Sequence, residues 1–228
     1  MALLELKNIC KSFKDGEARM NHVLRQLNLS VEQGDFMAIR GQSGAGKTTL
    51  LNILGTLLLP DSGTYTLDGQ SLLDGNVDLA SVRNKKIGFV FQDHRLLPQY
   101  NVMQNILLPL MASDSKVSEE QVEWARQLME LTNISSIENQ YPQTLSGGEA
   151  CRTAVCRALI NKPVVLLADE PTGQLDKENA LHLASLFQLV NKELNTTIIM
   201  VTHSDLTASA AKKIVTLIDG SLENIFPN

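Results

Sequence analysis

Gly41-Gln42-Ser43-Gly44-Ala45-Gly46-Lys47-Thr48 matches the phosphate-loop pattern, in which a glycine and four further residues precede Gly-Lys-Ser/Thr. The apolar run at 35–40 predicts a strand before this stretch, and the run at 49–54 predicts the first turns of a helix after it. Glycines let the backbone wrap closely round a phosphate, and the loop amides and helix N-terminus supply positive partial charge. A glycine-rich turn that binds nothing is the alternative, but the strand-loop-helix setting favours a site for a nucleoside triphosphate.

Two side chains of this phosphate loop (residues 41–48) have a predicted chemical role. Lys47 can reach the β- and γ-phosphates of a nucleotide, and the Thr48 hydroxyl can ligate Mg²⁺. The other residues predicted to hold the nucleotide lie in the loop or in the first helical turn: Gly41, Ser43, Gly44, Ala45, Gly46 and Thr49.

The composition is that of an ordinary globular protein with an acidic balance. The 228 residues are 43% hydrophobic and 20% charged, which suffices to bury a core without disulfides. The net charge of −5 argues against nucleic acid as the main partner, because proteins that bind nucleic acid usually present a basic surface. We therefore predict no nucleic-acid partner.

Cysteine content and hydropathy indicate the cellular setting. Cys10, Cys151 and Cys156 are too few for a disulfide framework, so we interpret them as ordinary thiols of a reducing compartment rather than redox or metal sites. The N-terminal residues lack the basic and apolar regions of a signal peptide. No apolar run approaches the roughly 18 residues of a membrane helix, so we expect no direct membrane insertion. If the chain works at a membrane, we expect another protein to hold it there.

The distribution of apolar residues divides the chain into three parts. Strand-like runs predict a β-rich and mostly antiparallel opening: 3–13, 23–31, 36–39 and 64–69. The polar stretch at 14–21 predicts a break between the first two runs. From 102 to 137, apolar residues recur at helical spacing, which predicts a helical subdomain. From 154 onward strands and helices alternate, which indicates parallel βαβ units, and Asp219-Gly220 predicts the turn of a closing hairpin.

The apolar run at 164–168 ends in two adjacent carboxylates, Asp169 and Glu170. At a nucleotide site, Asp169 can hold Mg²⁺ directly or through water, and Glu170 can polarise the water that attacks the γ-phosphate. A strand that runs into an acidic turn would give the same pattern. The phosphate loop favours the functional interpretation.

Residues 145–149, Leu-Ser-Gly-Gly-Glu, form the most specific pattern of the chain, here called the signature segment. The Ser146 hydroxyl and the amides of Gly147 and Gly148 would open a helix at 149–159 toward a phosphate. The same residues fit a capping box, with Ser146 as N-cap and Glu149 three residues later. Both interpretations can hold together.

The chain resembles the ATPase subunit of ATP-binding cassette (ABC) transporters in six features that follow one another in this order: phosphate loop, Gln92 after a strand, signature segment, Asp169-Glu170, Leu175-Asp176 and His203. The resemblance extends from about residue 3 to residue 222. It implies an α/β fold with a P-loop NTPase core, an N-terminal antiparallel β-subdomain and an inserted α-helical subdomain. Within one domain, 1–228, we expect the core with the β-subdomain at 1–95 and 156–228, and the helical subdomain with the signature segment at 96–155.

The resemblance also implies a homodimer whose two copies lie head to tail with two ATP molecules sandwiched between them. Residues 41–49 of one copy would face residues 146–149 of the other across the γ-phosphate. This arrangement would explain why one chain carries two phosphate-binding helix starts.

Individual roles follow from the same resemblance. Gln92 would contact Mg²⁺ and the attacking water, and its loop would connect the site to the helical subdomain. Asp176 would lie at the dimer seam. His203 would contact the γ-phosphate and hold the geometry of attack, although a lone histidine is more often structural. Phe13 would stack on adenine, at a position where several family members carry tyrosine.

Ala150-Cys151-Arg152 departs from the family pattern, which often continues the signature segment with glutamine and arginine. Glutamines there would make polar contacts near the interface, so their loss would weaken ATP-driven dimerisation or its coupling. Because Lys47, Gln92, Glu170 and His203 are all present, we do not interpret the chain as an inactive ATPase.

Three stretches are similar to the branch of lipoprotein-releasing, macrolide-export and cell-division ATPases: 91–98, 101–106 and 171–176. Members of that branch drive permeases with few membrane helices and an extracytoplasmic domain. The resemblance implies export or mechanical work, performed at the cytoplasmic face of the inner (plasma) membrane through integral membrane permease subunits. A regulatory ABC ATPase that signals to cell-wall machinery without transport would share these motifs. The identity of the membrane partner would distinguish the two.

Other ATPases fit the chain less well. A chromosome-maintenance relative would place a long coiled coil between the phosphate loop and the signature segment, and a translation-associated relative would carry two cassettes. An unrelated phosphate-loop kinase has no use for the signature segment.

Overall fold

The computed structural model of the chain describes residues 2–15, 19–112, 116–173 and 175–224. Gln174, part of the stretch 171–176, lies outside the described residues. The strands are β1 (Leu4–Asp15), β2 (Arg19–Val31), β3 (Phe36–Arg40), β4 (Ser62–Leu67), β5 (Gln70–Ser71), β6 (Ile87–Val90), β7 (Val165–Asp169), β8 (Thr197–Val201), β9 (Lys213–Ile218) and β10 (Ser221–Asn224). The helices are α1 (Lys47–Leu54), α2 (Leu79–Lys86), α3 (Val102–Met111), α4 (Glu119–Leu131), α5 (Gly147–Leu159), α6 (Lys177–Leu194) and α7 (Asp205–Ala208), with 3₁₀ turns at Ser135–Ile137 and Pro142–Thr144.

A mostly parallel sheet of the order β10-β9-β3-β8-β7-β6 forms the centre of the described structure. β3 pairs in parallel with β8 and β9, and β7 pairs in parallel with β6 and β8. β10 closes one edge as the antiparallel partner of β9. Every residue of β8 is buried, as are the first four of β7, because helices cover both faces of these strands. The predicted parallel βαβ units and closing hairpin are confirmed.

A second sheet, of the order β2-β1-β4-β5, is antiparallel throughout its described pairs. It confirms the predicted β-subdomain, although β3, from the same opening part of the sequence, joins the parallel sheet. The predicted bounds of the stretch between these strands, 14–21, are too wide: β1 continues to Asp15, β2 begins at Arg19, and Lys14 pairs with Met20, while 16–18 lie outside the described residues. The two strands pair through their backbones, so polar side chains on an exposed ribbon do not end them.

Helices α3, α4 and α5 form a layer whose apolar side chains share one core with the central sheet. α5 packs against both α3 and β6. The expected division between 96–155 and 156–228 falls within α5, and it stays a prediction. In the described ranges, no helix is long and apolar enough to span a membrane.

The cysteines are free thiols in this fold. Cys151 and Cys156 are fully buried in the helical layer, and Cys10 is half-buried. Burial raises the pKa of Cys151 and Cys156 to about 12, so both stay protonated at neutral pH. This environment agrees with the interpretation that they are ordinary thiols.

Candidate nucleotide-binding and hydrolysis site

Four parallel strands end at one edge of the central sheet, and a predicted site residue follows closely after each. The strand and residue pairs are β3 with Gly41, β6 with Gln92, β7 with Glu170 and β8 with His203. Val201 lies opposite both Ile39 and Asp169 in the pairing register, which brings three of these strand ends level. Ligands of open α/β sheets bind at the carboxyl ends of the strands. The topology therefore gathers segments that are far apart in sequence into one site.

The phosphate loop has a backbone that only glycine adopts easily at two positions. Gly44 and Gly46 have φ of +82° and +98°, and Gly46 is the N-cap of α1. A Cβ on Gly46 would lie 2.7 Å from Val23 Cγ1, so Val23 of β2 packs closely against the loop. A Cβ on Gly41 would lie 2.9 Å from the Leu217 carbonyl oxygen of β9. The loop is thus held between the two sheets.

Lys47 points back over the phosphate loop that precedes it. Its Nζ donates hydrogen bonds to the carbonyl oxygens of Gly41, at 2.8 Å, and Gln42, at 3.0 Å. The side chain is buried although it carries a charge. An ammonium group has three donors, so one remains for a phosphate oxygen. This geometry agrees with the predicted role of Lys47.

Glu170 and His203 are in direct contact. Nδ1 of His203 lies 2.8 Å from Oε2 of Glu170, and the backbone N–H of His203 donates to the same oxygen at 3.2 Å. The other carboxylate oxygen, Oε1, lies 4.0 Å from Lys47 Nζ. Glu170 has a φ of +43°, a left-handed conformation that turns the chain as it leaves β7. The carboxylate is thereby aimed at the phosphate loop.

The residues predicted to hold Mg²⁺ supply oxygen donors of three kinds. Asp169 is half-buried, and burial, followed by the charge of Glu170, raises the pKa of its carboxyl group, while Lys47 and Arg95 act in the opposite direction. Thr48 lies in the first turn of α1 with its side chain exposed. Gln92 is exposed, and its Nε2 lies 3.2 Å from where a Cβ on Gly173 would be. A hydroxyl, an amide oxygen and a carboxylate are ligands that suit a hard cation.

The described residues contain no group of three or more His, Cys, Asp or Glu side chains placed to hold a metal. The predicted set has a single carboxylate, and Mg²⁺ at nucleotide sites is commonly bound by one or two carboxylates together with substrate phosphates. The donor set therefore fits Mg²⁺ that arrives with a nucleotide.

The signature segment begins α5 with the predicted capping box. Ser146 Oγ accepts a hydrogen bond from the Glu149 backbone N–H at 3.3 Å, and Glu149 Oε2 accepts from the Ser146 N–H at 2.8 Å and its hydroxyl at 2.7 Å. The hydrogen bond from the Ser146 side chain is the main reason why the pKa of Glu149 is lowered. The helix begins at Gly147, two residues before the predicted start.

Asp176 caps the neighbouring helix α6, beside the signature segment. Its carboxylate accepts hydrogen bonds from the backbone N–H and the side-chain amide of Asn179, at 2.9 and 2.6 Å, and these bonds lower its pKa. Leu175 Cδ2 lies 3.4 Å from where a Cβ on Gly147 would be, and Asn179 Oδ1 is equally close to such a position on Gly148. The contacts of the described residues thus place the signature segment and Asp176 in a second group, distinct from the one around Lys47.

Phe13 lies on the β1–β2 hairpin with 41% of its surface exposed, and it pairs with Asn21 across the hairpin. A cavity of about 510 Å³ lies between this hairpin, the phosphate loop and the β9–β10 turn. Asn21, His22 and Val23 line it from the hairpin side, and none of them is predicted from the sequence. Their position depends on how β1 and β2 pair, and no local motif encodes that register.

The fold and site define a phosphate-loop nucleoside triphosphatase. One strand of the parallel sheet leads into the phosphate loop, a second leads into an acidic pair, and a histidine lies beside that pair. The model of the ABC transporter family matches residues 24–173, which is more than half of the sequence. The chain belongs to the ABC transporter family, as an ATP-binding ATPase cassette.

Relatives of known name agree with the branch resemblance. The macrolide export ATP-binding/permease protein MacB of Syntrophobacter fumaroxidans is 44% identical over 225 residues, which cover 98% of this chain but only 31% of that protein. The chain therefore spans less than a third of that relative. The lipoprotein-releasing system ATP-binding protein LolD 1 of Rhodopirellula baltica is 42% identical over 222 residues, or 96% of each chain.

Solved structures confirm the fold class. The dimeric structure of a post-hydrolysis state of the ATP-binding cassette MJ0796, bound to ADP and Pi, has a TM-score of 0.86 and 34% identity, covering 99% of this chain and all of that one. The predicted ABC cassette fold is thus confirmed, and the roles of individual site residues remain predictions.

Proposed function

We propose that the chain hydrolyses ATP as a head-to-tail homodimer that drives separate membrane permease subunits. The observation that carries the proposal is the contact of Glu170 with His203 beside Lys47, because it joins a base, its orienting group and a phosphate-binding cation. The likeness to a dimeric cassette bound to ADP and Pi supports both the reaction and the dimer.

In the proposed mechanism, Glu170 accepts a proton from the attacking water. The water oxygen then forms a bond to the γ-phosphorus, the bond to the bridging oxygen breaks, and ADP leaves with that electron pair. His203 holds one carboxylate oxygen of Glu170 through Nδ1 and its backbone N–H, which leaves Oε1 on the side of Lys47. The far ring nitrogen, Nε2, would face the γ-phosphate, and it can donate a hydrogen bond to a phosphate oxygen when both ring nitrogens carry a proton.

Thr48, Gln92 and Asp169 would hold Mg²⁺ together with the nucleotide phosphates. The cation supplies charge neutralisation on the β- and γ-phosphate oxygens. Asp169 suits this role because its half-buried carboxylate ends β7 beside the phosphate loop, where a cation offsets the cost of burying its charge.

The dimer is proposed because the phosphate loop and the signature segment are two anion-binding elements with separate sets of contacts. In a head-to-tail pair, the Ser146 hydroxyl and the glycine amides of one copy would complete the nucleotide site of the other. Cys151, which departs from the family pattern, is fully buried, so the departure lies inside the subunit. Its Sγ lies 3.7 Å from the carbonyl oxygen of Pro171, the residue after the acidic pair.

A groove on the helical side of the molecule supports the proposed permease contact. It has a volume of about 430 Å³, lies between β6, α3 and α5, and offers mainly apolar side chains, among them Phe91, Leu97 and Leu108. Arg83 and Arg95 also line it. We assign to it a short helical segment of a permease with an apolar face and acidic ends, which would place the chain on the cytoplasmic face of the inner membrane.

The relatives' names favour export or lipoprotein release over other forms of work, so we propose mechanical work of that type. A regulatory ATPase that acts on cell-wall machinery without transport is the second candidate. The two differ in their membrane partner and not in the ATP site.

Extraction of the tagged chain from its native membrane, followed by mass spectrometry, tests the proposal. We expect a permease with few membrane helices and a large extracytoplasmic domain, and we expect Leu97→Asp in the groove to release it. Leu59→Asp is the matched control, since Leu59 is also exposed but does not line the groove. A permease with many helices would point to another branch. Recovery of soluble partners alone, despite cross-linking, would contradict a transport function.

A further inference from the structure

Arg157, near the C-terminal end of α5, reaches the segment that follows Gln92. Its two terminal nitrogens donate hydrogen bonds to two successive carbonyl oxygens, Nη1 to Arg95 at 2.6 Å and Nη2 to His94 at 2.5 Å. A planar guanidinium presents parallel donors in a fixed fork, and a lysine ammonium does not. The contact is therefore specific to arginine.

The segment that Arg157 binds has an unfavourable backbone. His94 and Arg95 both have left-handed φ values, +56° and +48°, although neither is glycine. Their amides donate within the turn, His94 to the Phe91 oxygen at 3.0 Å and Arg95 to the Asp93 oxygen at 2.6 Å. The His94 side chain is buried, and the Arg95 guanidinium lies 4.1 Å from the centre of the Phe91 ring. Such a turn persists only where its surroundings hold it.

Arg157 is half-buried, and burial lowers its pKa, with Arg95 acting in the same direction and Asp93 against it. Among the described residues Arg157 forms no salt bridge, so the two carbonyl groups are its direct polar partners. Removal of the guanidinium would leave these two oxygens without their donor beside a buried histidine, which is costly for the turn.

We propose that Arg157 is a positioning residue that fastens the segment 93–97 to α5 and thereby sets the position of Gln92 relative to the signature segment. α5 begins at the signature segment and carries Arg157 about three turns further on, so one rigid helix connects the two. Arg157 also lines the groove assigned to the permease, next to Phe91 and Arg95. A permease segment bound in the groove would therefore contact the Arg157 side chain that holds the segment 93–97. The role given to Gln92 in this inference rests on the proposed function, whereas the attachment of the segment 93–97 to Arg157 does not.

Hydrogen exchange of the full chain without nucleotide tests the fastening. Arg157→Met keeps an apolar stem and removes the donors, and we expect the amides of 93–97 to exchange about tenfold faster or more. Arg157→Lys retains one charged donor and should give an intermediate rate. Arg126→Met and Arg126→Lys are matched controls on α4, where the ion pairs of Arg126 with Glu123 and Glu138 are exposed and 3.8 and 3.7 Å long.

A second readout tests the consequence for Gln92. At saturating ATP, we expect Arg157→Lys to need a several-fold higher Mg²⁺ concentration for half-maximal hydrolysis, while ATP binding in EDTA is unchanged. A purely structural role would lower the melting temperature without moving the Mg²⁺ dependence.

Unchanged exchange of 93–97 in Arg157→Met would overturn the proposal. If that variant exchanges faster throughout α5 and β6, it has lost its fold, and Arg157→Lys then decides: faster exchange confined to 93–97 supports the fastening, and wild-type exchange rejects it. If the wild-type chain does not hydrolyse ATP, the proposed function fails, while the exchange experiment still decides the role of Arg157.

Discussion

Nδ1 of His203 lies 2.8 Å from Oε2 of Glu170, although 32 residues separate the two in sequence. The contact arises because β7 and β8 are adjacent parallel strands whose ends are level. It fixes one oxygen of the carboxylate and the orientation of the imidazole ring at once. The chemistry that we propose for the site depends on this pair.

Replacement of Glu170 by glutamine should stop hydrolysis and preserve ATP binding. The amide has the shape of the carboxylate but cannot accept the proton of the attacking water, so we expect the rate of phosphate release to fall by about 100-fold or more. ATP retention and dimer formation, measured by gel filtration, should increase because the bound ATP is not consumed. Glu130→Gln, an exposed change on α4, is the control. Normal phosphate release in Glu170→Gln would falsify its role as base.

Mixtures of inactive variants should distinguish a head-to-tail dimer from independent sites. Lys47→Ala removes the phosphate-loop cation, and Ser146→Arg blocks the signature segment. If each site combines the loop of one copy with the signature segment of the other, a mixed dimer has one intact site, and random mixing should restore about a quarter of wild-type hydrolysis.

Lys47→Ala mixed with Glu170→Gln supplies the control for that experiment. Both changes act on the same half of the proposed site, so every mixed dimer should stay inactive. Activity from this mixture, or none from the first, would contradict the proposed arrangement.

Substitution of Gly46 by alanine should cost more stability than substitution of Gly69. Both glycines have positive φ, +98° and +73°, and alanine in such a conformation loses about 1–2 kcal/mol. A Cβ at Gly69 meets no atom within 4 Å, whereas one at Gly46 would lie 2.7 Å from Val23 Cγ1. Urea unfolding should therefore show a larger loss for Gly46→Ala, together with weaker ATP binding.

The double variant Gly46→Ala with Val23→Ala isolates the contact between loop and hairpin. Val23→Ala removes the Cγ1 atom. The part of the stability loss that comes from this contact should therefore shrink, while the part that comes from the positive φ of residue 46 remains. Equal costs for Gly46→Ala and Gly69→Ala would show that β2 does not support the loop.

Asp169→Asn should stabilise the nucleotide-free chain at neutral pH. Burial raises the pKa of the Asp169 carboxyl above its ordinary value of 3.8, so the folded chain binds the proton more tightly than the unfolded chain. The free energy of unfolding therefore falls as the pH rises from 3.8 through the raised pKa, and asparagine avoids this loss.

Urea unfolding from pH 4 to 7 measures the effect. The advantage of Asp169→Asn should grow with pH in that interval, and a constant difference would contradict the explanation. With Mg²⁺ and ATP present the order should reverse, because binding stabilises the wild-type chain and the variant lacks a predicted metal ligand.

Local motifs made much of the site predictable. The phosphate loop and the capping box at Ser146 and Glu149 encode backbone requirements within a few residues, and both occur in the structure. The apolar run before Asp169 likewise predicted β7, because a buried strand needs a continuous run of apolar residues. Pairing between distant segments was not predictable in this way: the sequence does not reveal that β3 leaves the antiparallel part of the chain, or that Val23 lies under Gly46.

Conformations imposed by tertiary contacts were also missed. Neither His94 nor Arg95 belongs to a residue type that marks a left-handed turn reliably, and Arg157 sits in a helix with no sign of its distant partners. The polar stretch at 14–21 gave strand ends that were too early, since backbone pairing extends β1 to Asp15 and begins β2 at Arg19.

The connection between β6 and β7 contains α3, α4 and α5, so more than 70 residues leave and re-enter the sheet between two adjacent strands. Gln92 follows the end of β6 and Asp169 ends β7, so both lie where these adjacent strands end. α3 and α4 carry none of the predicted site residues, so their sequences can change through evolution to suit a new partner while the residues of the nucleotide site stay the same. The same ATPase site can in this way serve different partners.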